Sequence, residues 1–315
     1  KLKGNIGGRS GESYAHYPIM EAGLKFIREN KDNPFFCYFP ITPPHGMYDI
    51  PVNDPAWKLY EGEAWINDPA IPQDVKNYAA MVSMVDHNVG QVLSLLRELK
   101  LEKETIVFFT GDNGGQDRFR SPKHPRGFFG PNVNPKNGAE FRGGKGNLFE
   151  GGLRIPYLVR WPGKIKPGQV NDLIFYQPDV LPTLAELTGA KAPDDIDGIS
   201  FLPTLLGQAQ TKKHEMLYWE FRGQTAVRQG LWKAIQTKPD RPWELYDLSQ
   251  DISESTNVAA KHLERLAKMK AFAKASHEPV RAGKYLDPKR TRHERDRKAK
   301  WGTAKPQPRA RRPRK

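Results

Sequence analysis

The 315-residue chain has one cysteine and no long apolar run. A single thiol, Cys37, excludes a disulfide within the chain,. Its apolar surroundings at 34–40 favour a core position over that of a nucleophile. No stretch approaches the roughly 18 apolar residues that a membrane-spanning helix needs, so the sequence predicts no membrane span. Hydrophobic residues make up 37% of the chain, which is enough for one large domain and a smaller one,.

Acidic residues are scarce at the C-terminal end of the chain. Residues 287–315 contain 13 Lys or Arg against 3 Asp or Glu, and so carry +10 of the chain's net charge of +14. We interpret this segment as a basic, disordered tail; the alternative is a non-enzymatic site that binds a polyanion. The tail offers only Trp301 for base stacking and no nucleic-acid motif, so we expect no specific nucleic-acid partner.

Hydrophobic spacing predicts an α/β pattern followed by a small antiparallel sheet. Helical spacing and continuous β-rich runs alternate, which is typical of buried strands joined by helices. The predicted helices are 17–30, 73–100 and 177–187, with a short helical turn at 200–206, and the predicted strands are 35–39, 105–110 and 155–161. Beyond residue 210 we expect strands at 216–221, 225–228, 232–236 and 244–247, then a helix at 258–276. The predicted organisation is an α/β part over 1–210, a small α+β subdomain over 211–286, and the tail.

Two polar residues, Asp112 and Asn113, directly follow the predicted strand 105–110. In open α/β sheets ligands bind beyond the carboxyl ends of strands. Carboxylate and amide oxygens suit hard cations such as Ca²⁺ or Mg²⁺, and the flanking glycines allow a tight turn around an ion. The same four residues, Gly111-Asp112-Asn113-Gly114, also suit an ordinary turn. Both interpretations stay open on these residues alone.

Two cationic candidates lie on other loops. Arg142-Gly143-Gly144-Lys145-Gly146 lacks the hydroxyl residue and the first glycine of a nucleotide-binding phosphate loop. What remains is Lys145 as a contact for a tetrahedral anion, or a solvated basic loop. His45 follows the predicted strand 35–39, where it is either a general acid or anion contact, or an incidental loop histidine. A metal with a lysine and a histidine suits stabilisation of a charged tetrahedral ester.

Several segments in this order resemble the type I sulfatases, the arylsulfatase family of the alkaline-phosphatase-like superfamily. The resemblance covers roughly residues 15 to 280. It rests on Asn33-Pro34-Phe35-Phe36 with Pro43-Pro44-His45, on 105–114, on 142–163 with Phe149-Glu150-Gly151-Gly152-Leu153-Arg154, and on Asp179-Val180-Leu181-Pro182-Thr183, Asp197-Gly198-Ile199-Ser200 and Glu244-Leu245-Tyr246-Asp247-Leu248.

The resemblance implies a fold and a set of roles. The fold is an alkaline-phosphatase-like α/β sandwich with a central, mostly parallel sheet, here incomplete, plus a small C-terminal antiparallel sheet with a helix. Asp112 and Asn113 would be two ligands of a Ca²⁺ ion. Lys145 would contact the sulfate and the leaving-group oxygen, and His45 the sulfate ester, as candidate proton donor. Glu150 and Arg154 match the family pattern, and we interpret them as structural.

The sequence also departs from the family pattern. It contains no Cys/Ser-x-Pro-x-Arg motif, from which the family makes its formylglycine nucleophile, and it lacks the family's first metal-binding aspartate pair and its Gly-Lys-Trp-His motif. We therefore expect a C-terminal portion of a longer enzyme that binds calcium weakly or not at all and is inactive alone.

The resulting prediction is a Ca²⁺-dependent sulfuric ester hydrolase in its complete form. Its substrate would be a sulfate ester, with a sulfated carbohydrate as one candidate. By family analogy the enzyme would be exported to the periplasm or the cell exterior, although no signal peptide is visible in the sequence. The first alternative is a phosphate or phosphonate monoester hydrolase of the same superfamily. The second is the polyanion-binding protein mentioned above. The sequence predicts no oligomeric state.

Overall fold

Two long helices form the first part of the chain in the computed structural model, which describes residues 14–279 except Met47. They are α1 (His16–Glu29) and α3 (Gln73–Glu98), with a single turn α2 (Ala64–Asn67) between them. Buried Ile27 of α1 packs with Leu95 and Leu96 of α3. Both helices lie where the apolar spacing predicts them, because that spacing gives each helix one face to bury.

The long segment between α1 and α3 packs against α3. A short 3-10 helix, Pro55–Tyr60, lies against α3. The Tyr60 hydroxyl donates a hydrogen bond to the Ala79 carbonyl oxygen at 3.0 Å and lies 2.7 Å from Ser83 Oγ. The Trp57 indole donates to the Pro51 carbonyl oxygen at 2.9 Å. The segment that leads from His45 to α3 is thus fixed to the helix.

The central sheet differs from the prediction in the direction of its strands. Strands β1 (Val107–Thr110) and β2 (Tyr157–Arg160) lie where strands are expected, but they pair antiparallel, with Val107 opposite Arg160. No parallel strand pair occurs among the residues that the structure describes. An apolar run indicates that a strand is buried, but it does not specify the direction of the neighbouring strand. The mixture of helices and sheets agrees with the predicted α/β fold class.

The predicted strand at 35–39 is wrong as a paired strand. Phe35, Cys37 and Phe39 pack against the cluster between α1 and α3, whereas Phe36 and Tyr38 are 73% and 75% exposed. This alternation is that of an extended chain, but no backbone ladder joins the segment to a neighbour in the described part of the chain,. Cys37 is half-buried, and burial raises the pKa of its thiol, which agrees with a packing role,.

Three short helices connect the central part to the C-terminal sheet. They are α4 (Glu150–Leu153), α5 (Val180–Thr188) and α6 (Leu202–Leu205). Helix α5 ends at Gly189, whose φ of 71° is the left-handed conformation that commonly stops a helix,. The Asp179 carboxylate, before α5, is buried and accepts hydrogen bonds from the backbone N–H groups of Tyr176 and Ile199 at 2.9 and 2.7 Å.

The predicted small antiparallel sheet with a helix is confirmed. Its order is β3 (Leu217–Phe221), β4 (Gln224–Gln229), β5 (Trp232–Gln236) and β6 (Glu244–Asp247), followed by helix α7 (Leu263–Ser276). Side chains alternate between its two faces. Val227 and Ala234 pack against Met269 of α7, while Ala226 and Ile235 pack on the other side against Leu148 and Phe149. The sheet therefore lies between α7 and the segment that carries Lys145.

The remaining predictions concern a membrane span, the basic tail and the division into subdomains. No helix in the described part of the chain is long and apolar enough to cross a membrane. The predicted tail at 287–315 lies outside the described residues, and the division at residue 210 stays a prediction.

Candidate active site

The turn Gly111–Gly114 begins where β1 ends. The Gly111 N–H faces the Pro156 carbonyl oxygen at 3.4 Å, which continues the pairing with β2 for one residue. The Asp112 side chain is exposed, and the Asn113 amide nitrogen donates to the Gly114 carbonyl oxygen at 3.0 Å. That bond uses the amide nitrogen as the donor, so the Asn113 side-chain oxygen is the atom suited to a cation.

Backbone hydrogen bonds hold this turn against the glycine-rich segment 142–152, here called the glycine-rich block. The Gly114 N–H donates to the Gly152 carbonyl oxygen at 2.9 Å. The Lys145 N–H donates to the Gly115 carbonyl oxygen at 2.8 Å. The structure therefore places Lys145 and the Asp112-Asn113 pair on adjacent loops, as a common site requires.

Glycine is required at Gly114 because two backbones meet there. A Cβ atom on Gly114 would lie 1.9 Å from the Gly151 carbonyl oxygen, and one on Gly151 would lie 2.3 Å from the Gly143 carbonyl oxygen. Real Cβ atoms do not approach backbone oxygens this closely. The close contact between turn and block is thus available only to residues without a side chain.

A buried carboxylate, Glu150, fixes the glycine-rich block to the C-terminal sheet. Its Oε1 accepts a hydrogen bond from Lys233 Nζ at 2.9 Å, and its Oε2 accepts from Arg228 Nη1 at 3.1 Å and from Arg154 Nε at 2.5 Å. The Glu150 N–H donates to Glu254 Oε2 at 2.6 Å. Lys233 Nζ also lies 2.9 Å from Glu254 Oε1, without hydrogen-bond geometry. Glu150, Lys233 and Glu254 are each at most 1% exposed.

Five residues that meet here are called the ion cluster: Glu150, Arg154, Arg228, Lys233 and Glu254. Their contacts and burial shift the pKa values of several members. Burial opposes ionisation of Glu150, but the attraction of Lys233, Arg228 and Arg154 is stronger and lowers the Glu150 pKa to about 2,. Burial, with repulsion from Glu150, raises the pKa of Glu254. Burial also lowers the pKa of the Arg228 guanidinium. Glu150 therefore stays ionised at neutral pH and requires its cations.

Arg142 makes a second connection between the block and the sheet. Its Nη1 donates to the Tyr246 hydroxyl oxygen at 2.7 Å and to the Glu254 carbonyl oxygen at 2.9 Å. The guanidinium carbon lies 3.9 Å from the centre of the Phe149 ring, a cation–π contact,. Arg142 therefore braces the backbone at the start of the block, while Lys145 is the cation that lies next to the Asp112 turn.

The structure connects His45 to the other candidates less directly. His45 lies on an exposed turn closed by its own N–H, which donates to the Thr42 carbonyl oxygen at 2.9 Å. Among the described residues, no hydrogen bond, ion pair or ring contact joins its side chain to Asp112, Asn113 or Lys145. Three residues on, the Tyr48 ring contacts Phe119 at 5.0 Å between centroids.

Phe119 belongs to the segment that follows the Asp112 turn, so Tyr48 connects the His45 segment to the candidate site. More rings continue the contact and form an aromatic cluster. The cluster consists of Tyr48, Tyr60, Trp65, Tyr78, Phe119, Phe128 and Phe129. Most of these rings meet edge to face, which is the arrangement of a packed cluster.

The donor set agrees with part of a metal site. Asp112 and Asn113 offer oxygen donors, which is the chemistry that Ca²⁺ prefers, but a calcium shell takes about six to eight oxygens. The described residues contain no group of three or more His, Cys, Asp or Glu that could hold a metal. The two side chains therefore fit a calcium ion as partial ligands.

Sequence reasoning missed most of the ion cluster. It identified Glu150 and Arg154 as structural, and the structure places both in the cluster, but it did not identify Arg228, Lys233 or Glu254. One signal was present: in the predicted strand 232–236 Lys233 shares a face with apolar Ile235, which indicates that its side chain points inward,. Glu254 lies in a loop with a left-handed φ of 52°, which no pattern predicts.

Comparison with known proteins identifies the family. The Sulfatase family model matches residues 9–190, and the model for the C-terminal part of N-sulphoglucosamine sulphohydrolase matches residues 144–276. The fold and the glycine-rich block thus define an α/β protein of the sulfatase type. The chain belongs to the sulfatase family.

Individual relatives agree with this assignment. The chain is 41% identical to steryl-sulfatase of Mus musculus over 229 residues, covering 70% of this chain and 33% of that protein. It is 30% identical to N-acetylgalactosamine-6-O-sulfatase of Bacteroides thetaiotaomicron over 266 residues, covering 78% of this chain and 48% of that one. The chain spans less than half the length of these two relatives.

Solved structures show the same fold. A structure described under the metabolism of multiple glycosaminoglycans by Bacteroides thetaiotaomicron matches with a TM-score of 0.66 and 27% identity, over 85% of this chain and 56% of that chain. The structure of Ps i-CgsB in complex with k-i-k-neocarrahexaose matches with a TM-score of 0.67 and 25% identity, over the same shares.

The close contact at Gly114 predicts a large cost for a small side chain. We expect Gly114→Ala to lower the free energy of unfolding by about 3 kcal/mol, because the backbone of the block must move. The matched control is Gly90→Ala in α3, where a Cβ meets nothing within 4 Å; we expect it to stabilise by about 0.5–1 kcal/mol,. Urea unfolding of the purified chains measures both. Equal effects of the two substitutions would contradict the close contact.

The depressed pKa of Glu150 predicts a pH dependence of stability. The unfolded chain takes up this proton near pH 4.5 and the folded chain only near pH 2, so the Glu150 contribution is complete above pH 4.5 and is lost as the pH falls towards 2,. The difference corresponds to about 3 kcal/mol. Glu150→Gln should therefore be less stable at pH 7 and lose less stability than the parent chain between pH 5 and pH 2.5.

Urea midpoints at a series of pH values measure this dependence. The control is Glu186→Gln, at an exposed position of α5, and we expect it to keep the acid dependence of the parent. An unchanged acid dependence in Glu150→Gln would show that this carboxylate is not held ionised by the ion cluster.

Proposed function

We propose that the whole protein to which this chain belongs is a sulfuric ester hydrolase, a sulfatase. The observation that carries the proposal is the pair of backbone hydrogen bonds that place the Lys145 loop against the Asp112-Asn113 turn. Membership of the sulfatase family and the named sulfatases among its relatives support it. The activity is proposed for the whole protein, because this chain spans only part of the length of those relatives.

Lys145 and His45 are the chain's own candidates for the chemistry. The Lys145 ammonium would contact the sulfate and the leaving-group oxygen, where it would stabilise negative charge that develops on them. His45 would contact the sulfate ester and donate a proton to the leaving alcohol oxygen. Support for His45 rests on its place in the family pattern, and support for Lys145 rests also on the Gly115 contact.

Asp112 and Asn113 would be two ligands of a Ca²⁺ ion. A bound divalent cation supplies positive charge that polarises an ester oxygen. The exposed Asp112 carboxylate and the Asn113 side-chain oxygen have the right chemistry for such an ion. The formylglycine nucleophile that the resemblance implies has no matching motif in this sequence.

A sulfated carbohydrate is the proposed substrate class. The proposal draws on a relative named N-acetylgalactosamine-6-O-sulfatase and on the neighbour solved with k-i-k-neocarrahexaose. The steryl-sulfatase relative makes a steryl sulfate the competing class. Export to the periplasm or cell exterior is proposed on family analogy alone.

Substitution of Lys145 in the whole protein tests the hydrolase proposal. We expect Lys145→Ala to lower kcat/KM for an aryl sulfate by about 100-fold or more, since it removes a cation from the developing charge. Asp112→Ala should raise the calcium concentration needed for half-maximal activity. Lys164→Ala, an exposed lysine after β2, is the matched control and should keep parental turnover. Unchanged turnover in Lys145→Ala, or faster hydrolysis of the matching aryl phosphate by the parent protein, would contradict the proposal.

A further inference from the structure

The loop that carries Lys145 is held from two sides. On one side the Lys145 N–H donates to the Gly115 carbonyl oxygen at 2.8 Å. On the other side lies Gln224, the first residue of β4. Residues 144–149 have no helix or strand of their own. Within the loop the Asn147 N–H donates to the Gly144 carbonyl oxygen at 3.2 Å and the Phe149 N–H to Asn147 Oδ1 at 3.3 Å, and the outside contacts add to these.

The Gln224 side chain makes two hydrogen bonds to this loop. Its Oε1 accepts from the Leu148 N–H at 3.2 Å, and its Nε2 donates to the Gly146 carbonyl oxygen at 3.1 Å. An amide offers a donor and an acceptor at one position, which matches a backbone carbonyl and an N–H two residues apart. The bonded groups begin directly after Lys145.

The backbone and side chain of Gln224 serve different elements. Its backbone pairs with Phe221 in the β3–β4 hairpin. Its side chain points to the loop and is not needed for that pairing. The end of the loop has two anchors of its own. Leu148 and Phe149 pack on Ala226 and Ile235 of the sheet. The next residue, Glu150, belongs to the ion cluster. Loss of the Gln224 amide should therefore free residues 145–147 while the sheet and the core stay intact.

We propose that Gln224 is a positioning residue for Lys145: its amide keeps the loop in the conformation in which Lys145 lies against Gly115 and the Asp112 turn. The role of Lys145 in hydrolysis rests on the proposed function, whereas the ordering of the loop does not. Two experiments separate these parts.

Amide hydrogen exchange of the 315-residue chain tests the ordering. Gln224→Met keeps the length of the side chain and removes both hydrogen bonds. We expect exchange at Leu148 and at Lys145 to accelerate about ten-fold, as local opening follows the loss of one or two hydrogen bonds. The informative amide is that of Lys145, because Gln224 does not touch it. The urea midpoint should stay close to that of the parent chain.

Two further variants keep this experiment decisive. Gln229→Met, at the other end of β4, removes an amide that accepts from Arg265 and should leave Lys145 exchange unchanged. Gln224→Glu keeps the acceptor for the Leu148 N–H but loses the donor to Gly146, so Leu148 should stay protected while Lys145 exchanges faster. Parental exchange at Lys145 in both Gln224 variants would overturn the proposal. If Gln224→Met fails to fold, Gln224→Glu alone decides.

A double-mutant cycle in the whole protein tests whether Gln224 acts through Lys145. Gln224→Met should lower kcat/KM for an aryl sulfate about ten-fold, and it should have no further effect in the Lys145→Ala background. Equal losses in the two backgrounds would show that Gln224 does not act through Lys145. If Lys145→Ala has no effect on turnover, the proposed function fails, while the exchange experiment still decides the ordering of the loop.

Discussion

Glu150 is almost completely buried, and its carboxylate accepts hydrogen bonds from three cationic side chains, those of Lys233, Arg228 and Arg154. Lys233 and Arg228 reach it from two strands of the C-terminal sheet, and its N–H is bonded to Glu254. Removing one partner of a buried ion pair leaves an uncompensated charge and costs about 3–5 kcal/mol. The glycine-rich block therefore cannot leave the sheet without a large loss of stability. Because Gly151 and Gly152 follow Glu150 directly, this constraint also fixes the backbone against which Gly114 packs.

The site follows from this arrangement of layers. Helix α7 covers one face of the C-terminal sheet, and the glycine-rich block covers the other. The block in turn presents its backbone to the Asp112 turn, so Lys145 and Asp112 are brought together by main-chain contacts. Side chains that carry the proposed chemistry are left available for a substrate or an ion. Gln224 and Lys233 carry none of the proposed chemistry, but both contact the glycine-rich block and so influence where Lys145 lies.

Local patterns in the sequence predicted much of the fold. The apolar spacing of α3, the alternation in β4 and β5, and the position of Asp112 after a strand all follow from the geometry of single elements. Which strands pair, and in which direction, does not follow from single elements. For this reason 35–39 was predicted as a strand although it has no partner strand among the described residues, and β1 was predicted as part of a parallel sheet. The ion cluster as a whole could not be predicted, since the strand pattern indicates that Lys233 points inward but not that Glu150 and Glu254 lie beside it. The exposed turn at His45 agrees with a loop position after 35–39, but its distance from Lys145 depends on long-range packing.

The central claim is that the Glu150–Lys233 pair fastens the glycine-rich block, and with it Lys145, to the C-terminal sheet. The direct measurement is a double-mutant cycle of Glu150→Gln and Lys233→Met by urea unfolding at pH 7. Each single substitution should cost about 3 kcal/mol or more, and the double substitution should cost about 2 kcal/mol less than the sum, because the two residues lose a shared interaction. Costs that add to within about 0.5 kcal/mol would show that the two residues act independently and would contradict the account.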